Sequence, residues 1–390
     1  MRKTMLLAIG GMSLWALLLV PPKPHAAASP QTERIVLTVQ SAPEASFRSE
    51  LEIRSDSLSR ALRKEGRRMR VPGIPFTDAT LTIEGKTVAR YWVDGRGRLY
   101  DGSRGEMQVL PSSARDELSR LVGALRQAHY GRIVPWSEAE KLIPRKSVLT
   151  IVDPVTGLKF RAQRRAGSSH ADAQPLTKED TAVMKRIYGG DWSWKRKAIL
   201  VRTESQVLAA SMHGMPHGGD GIPNNNFSGH FCIHFLGSTT HGSGHIDPEH
   251  QTMIRKAGGQ LEEYIRQASP TQIAELFVMA LNLQDAELLR MLFPHDAHPQ
   301  FAAYLAELPK IGGMRQTKES TAADFADSLA AEIPVHVSML RAGEKEQRLT
   351  LTFTLTRNSL AEPWKIDHIA QVSARSGHTT SKSEKGGRMR

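Results

Sequence analysis

A single cysteine in 390 residues, Cys232, sets the firmest limit on how this chain can fold. One thiol cannot close an internal disulfide, so each folded unit has to be held by buried apolar surface. Apolar residues make up 40% of the chain, enough for two or three cores at this length. The cysteine also has unusual neighbours. Ser211 to Cys232 reads SMHGMPHGGDGIPNNNFSGHFC and runs on into Ile233-His234. Histidines 213, 217, 230 and 234 therefore flank the thiol, around a loop rich in glycine, proline and asparagine. A thiol needs a nearby imidazole to take its proton before it can act as a nucleophile. The bland alternative is a core cysteine on a strand between Phe231 and Ile233.

The first residues have the layout of an export signal. Arg2 and Lys3 precede an apolar run from Met5 to Val20, and Ala26, Ala27 and Ala28 follow. Residues 1–28 are read as a signal peptide or an uncleaved N-terminal anchor, the run being short for the roughly 20 residues of a membrane span. The chain is expected to be secreted or associated with the cell wall or membrane outside the cytoplasm. Its formal charge is +12, with basic clusters at Arg60 to Arg70 and in the tail. In an exported chain this suits peptidoglycan or an anionic wall polymer, not nucleic acid, and membrane contact is expected only through the N-terminal segment.

The pattern predicts an α+β multidomain chain. Residues 30–140 form a small α+β unit, with strand-like ERIVLTV, ATLTIEG and VARYWVD, a helix over 57–69 and another over 112–128 capped by Ser113. Residues 147–267 read as mostly β. SVLTIVD with LKFRAQR and KAILVRT with QVLAASMHG form hairpins, a short helix covers 178–188, and one helix spans 250–267. Residues 269–373 read as a separable α+β unit of three helices and three alternating strands, IPVHVSML, RLTLTFTL and WKIDHIAQV. In element order this last unit resembles the nuclear-transport-factor-2-like or cystatin-like fold. Residues 374–390 are read as a disordered basic tail.

His213-Gly214 is followed, after a spacer, by Gly229-His230-Phe231-Cys232-Ile233-His234. This resembles L,D-transpeptidases of the YkuD type, which carry a histidine, a spacer of matching length, then Ser/Thr-His-Gly-Cys, an aliphatic residue and Arg or Asn. The resemblance covers at most residues 147–255. It departs from the family at Gly229 for Ser/Thr, Phe231 for Gly and His234 for Arg/Asn. It implies that Cys232 attacks the carbonyl before a terminal D-alanine of a peptidoglycan stem and forms a thioester. His213 would be the base, and His230 with neighbouring amides would hold the oxyanion. His234, Gly214, Phe231, His170, Asp172 and Trp194 would line the substrate site. This reading calls for no cofactor and no metal ligand.

Two rivals remain open. His170, Asp172, His213, His217, His230, His234, His241, His245 and His250 crowd one region, so a zinc-dependent peptidoglycan hydrolase is the first. His213 and His217 are four residues apart, but Gly214 and Pro216 argue against a helix that would set them on one face as ligands. The second is a non-catalytic wall-binding protein with a degenerate site. His217 is read as a loop residue, His241, His245 and His250 as a solvated loop, and Asn224 to Asn226 as turn formers.

Overall fold

A computed structural model describes residues 34–373 apart from 65, 72, 86, 220 and 320–323; the expected leader and basic tail lie outside the described residues. The chain is a mixture of helix and strand built on several sheets and one small barrel. The first sheet contains β1 (Arg34–Gln40), β2 (Arg48–Glu52), β3 (Arg68–Arg70), β4 (Ala79–Glu84), β5 (Val88–Val93), β6 (Leu99–Asp101) and β7 (Glu106–Gln108). They lie in the order β2-β1-β4-β5-β6-β7-β3. Helices α1 (Asp56–Arg63) and α2 (Ser112–His129) cover it, and Leu118, Val122 and Leu125 at helical spacing meet Ile35, Leu37 and Leu81. The helix expected over 57–69 is shorter, since Lys64 is already extended and Arg68 to Arg70 pair with β7. Pro111, not Ser113, stands at the start of α2, without a side-chain cap.

After α3 (Trp136–Leu142), six strands close a barrel: β8 (Val148–Val152), β9 (Lys159–Ala166), β10 (Ala171–Pro175), β11 (Lys197–Arg202), β12 (Val207–Met212) and β13 (Phe231–His234). Their order is β10-β13-β12-β11-β8-β9. α4 (Lys178–Ile187) starts in a capping box made by Thr177 and Asp180. Alternation fills the interior: Leu149, Phe160, Ala173, Ile199, Ala210 and Ile233 belong to one apolar cluster. Both expected hairpins form, β8 with β9 and β11 with β12. β10 carries no strand signal in the sequence, yet it is the piece that closes the barrel against β13.

The expected single helix over 250–267 is two, α5 (Pro248–Ala257) and α6 (Leu261–Arg266), separated at Gly258-Gly259, where Gly259 has φ +66. α7 (Pro270–Leu283), α8 (Ala286–Leu292) and α9 (Pro299–Glu307) follow, α7 opening with a Ser269 cap and Pro270 in its first turn. The last sheet has four strands, not three: β14 (Ile311–Gln316), β15 (Ala330–Arg341), β16 (Gln347–Thr356) and β17 (Lys365–Ser373), in sequence order. Gly312-Gly313 hid β14 by breaking its apolar alternation. Leu200 and Ala209 on the outer barrel wall share one apolar cluster with Ala257, Phe277, Val335 and Phe353. Packing is therefore continuous across residues 267–269, where a separable unit was expected to begin. Among the described residues no helix is long and apolar enough to cross a membrane.

Candidate functional site

The pleat of β13 sorts the central segment onto two faces. Phe231 and Ile233 point into the barrel, Phe231 lying 5.9 Å from the Phe160 ring and 6.0 Å from Phe227. Cys232 and His234, being one residue out of phase, face outward with His230. The antiparallel register sets Asp172 of β10 directly opposite Cys232. The loop between β12 and β13 is pinned by a reciprocal pair: His217 N–H donates to His230 C=O at 3.0 Å and His230 N–H to His217 C=O at 2.7 Å. Gly229 makes the turn before it with φ +93, and a Cβ there would sit 2.3 Å from the His217 carbonyl oxygen.

This pinned loop brings His217, not His213, to the thiol. His217 Nε2 is 3.5 Å from Cys232 Sγ, and its Nδ1 faces the Met215 carbonyl at 3.1 Å. A carbonyl only accepts, so Nδ1 carries the proton and Nε2 of the neutral ring presents a lone pair to the sulfur. His213 instead lies behind His217 and beneath Trp194, with ring centres 5.1 and 4.7 Å away, and its Nδ1 accepts from Met215 N–H. Burial first, then the neighbouring His217 and Arg196 charges, lower its pKa to about 3. The reading of His217 as a plain loop residue is thus corrected.

The remaining candidates divide. His170 and Asp172 do reach the thiol: Asp172 Oδ1 is 3.9 Å from Sγ, 3.2 Å from His170 Nε2 and 3.7 Å from His230 Nε2. His241, expected on a solvated loop, arches over the cluster. It is half-exposed, with Nε2 3.0 Å from Asp172 Oδ1 and 2.9 Å from His170 Nε2. His250 is also buried, on α5, bonding Ser211 Oγ through Nδ1 at 2.8 Å. His234 is stacked between His170 and His250 at 4.5 and 3.8 Å. Burial and the charges of His170 and His213 lower its pKa to about 2. Trp194 is exposed at the rim over His213 and His217, whereas Trp192 packs on Phe227. Two expected substrate contacts fail: the Phe231 ring is in the barrel interior, and Gly214 exists to clear the Tyr188 ring, 2.4 Å from where its Cβ would be. Asn224 and Asn226 do form turns with positive φ, while Asn225 is buried on the Pro175 carbonyl. His245 is exposed.

Electrostatics hold the thiol protonated. Burial, then the Asp172 carboxylate, push the Cys232 pKa up, and only 3% of the residue is exposed. For Asp172 burial opposes ionisation, but the His170 contact and the His230, His170 and His241 charges prevail and hold its pKa at about 2. His230 is pulled down by burial and partly restored by Asp172; its Nε2 is buried without a hydrogen-bond partner. The arrangement can therefore pass a proton from sulfur to His217, and it offers clustered N, O and S donors to a cation. No protein-family model matches the chain, and no curated protein matches it.

Proposed function

We propose that this chain is an exported cysteine acyltransferase or peptidase acting on peptidoglycan stem peptides, with Cys232 as nucleophile and His217 as its base. The observation that carries the reading is the 3.5 Å approach of His217 Nε2 to Sγ, with Nδ1 anchored on Met215 C=O. Because the thiol is held protonated, His217 acts as a general base during attack and not as one half of a standing ion pair. Sγ forms a bond to the carbonyl carbon while its proton passes to His217. The tetrahedral intermediate then collapses to a thioester, and His217 returns the proton to the departing D-alanine amine. An acceptor amine or water resolves the thioester. Burial pulls the His230 pKa down and Asp172, 3.7 Å from its Nε2, offsets this only in part, so it is the neutral ring that would offer its N–H to the developing oxyanion. The loop carrying His241 must move aside to admit a substrate. Peptidoglycan as substrate rests on the motif resemblance and the export layout of residues 1–28. Release of D-alanine from purified muropeptides tests the reading. It should occur with the chelator-treated protein and vanish in Cys232→Ser, and release that survives Cys232→Ser would overturn it.

A further inference from the structure

We propose that His170, Asp172, Cys232 and His241 form a binding site for a soft divalent transition-metal ion of the zinc class, with His217 and His230 on its remaining side. This goes beyond acyl transfer and stands on its own geometry. The ligand atoms of the four residues all lie within 4.8 Å of one another. A tetrahedral ion with metal–nitrogen distances of about 2.0–2.1 Å and metal–sulfur of about 2.3 Å separates its ligands by roughly 3.3–3.7 Å. The contacts here bracket that range: 2.9 Å between the His170 and His241 Nε2 atoms, 3.0 and 3.2 Å from these to Asp172 Oδ1, and 3.9 Å from that oxygen to Sγ.

Tautomers point the same way. His170 Nδ1 donates to Thr239 C=O at 2.7 Å, which leaves Nε2 facing inward as the atom a cation would take; His217 is held alike by Met215. Anchoring the outer ring nitrogen on a backbone carbonyl is how proteins orient imidazole ligands. Two imidazole nitrogens and a carboxylate oxygen lie in mutual contact; a single N–H on His241 Nε2 can serve only one of its two neighbours at a time, whereas a divalent ion satisfies all three lone pairs together. Thiolate and imidazole donors select zinc, cobalt, nickel or copper over magnesium or calcium. Binding breaks the S–H bond and forms a metal–sulfur bond, with the proton released to His217 or solvent. The bound ion therefore shields the nucleophile, and the metal-free protein carries the acyl-transfer chemistry.

The test is titration of the chelator-treated full chain with zinc by calorimetry, and with cobalt(II) by absorption spectroscopy. The result expected is one equivalent bound, a thiolate-to-cobalt charge-transfer band that is absent in Cys232→Ser, and zinc affinity lowered about tenfold or more in His241→Ala. His241 is half-exposed on a loop, so that variant should fold, and circular dichroism checks it. A chain that binds no zinc, or binds it equally well after both substitutions, overturns the site. Neither readout uses a muropeptide, so failure here is distinguishable from failure of acyl transfer. If both hold, zinc suppresses D-alanine release and chelation restores it.

Discussion

Replacing Gly229 with alanine tests the device that brings His217 to Cys232. At φ +93 an L-residue is strained by about 1–2 kcal/mol. The added methyl would also lie 2.3 Å from the His217 carbonyl oxygen and 3.1 Å from that of Gly218, so the loop has to move. Moving it breaks the two reciprocal His217–His230 backbone bonds, each worth about 0.5–1.5 kcal/mol. The sum is a loss of about 2–5 kcal/mol, with His217 drawn away from the sulfur. Gly123→Ala is the contrast: it lies mid-helix in α2 with open space around its Cβ, and should gain up to about 1 kcal/mol. Urea unfolding of the two variants beside the parent measures both signs. If Gly229→Ala unfolds at the same urea concentration as the parent, the turn is not the constraint claimed.

Other perturbations follow from the same packing. Phe277 is fully buried among Tyr304, Phe353 and Phe293, so Phe277→Ala should cost about 3–5 kcal/mol. Because its cluster reaches barrel residues Leu200 and Ala209, calorimetry should show the barrel and last sheet losing stability together; a shift confined to one would deny the shared core. His129, buried between Phe47 and Tyr130, has its pKa lowered to about 4 by burial, with Asp78 opposing. Between pH 6.5 and 4 the unfolded chain binds a proton that the folded one refuses, so stability falls with acidity over that window, by about 3 kcal/mol in all. His129→Phe should remove about one proton from that slope, and an unchanged slope would count against the buried neutral ring.

Much of the frame was legible because it follows local rules. The β8–β9 and β11–β12 hairpins, the α4 helix and the Ser269-Pro270 start of α7 each come from alternation or capping chemistry. Elements fixed by tertiary contact were not. β10 reads ADAQP and counts as a strand only because its alanines fill the barrel while Asp172 stands on the outer face beside Cys232. The thiol and its histidine-rich surroundings were visible, but the choice between His213 and His217 was not. It depends on a loop held by the His217–His230 pair and the positive φ at Gly229, neither of which has a periodic signature. His241 is brought to Asp172 from 69 residues away, a separation no local pattern encodes.

The central claim is the pairing of Cys232 with His217, and the intact mass of the protein during reaction tests it most directly. The chelator-treated chain would be mixed with a stem peptide ending in D-alanine and quenched at intervals. The account predicts a thioester adduct on Cys232, none in Cys232→Ser, and formation slowed about 10²- to 10⁴-fold in His217→Asn. In His213→Asn, where the lost ring lies behind the base, slowing should stay within about tenfold. An adduct that forms readily without His217 but fails without His213 would contradict the account.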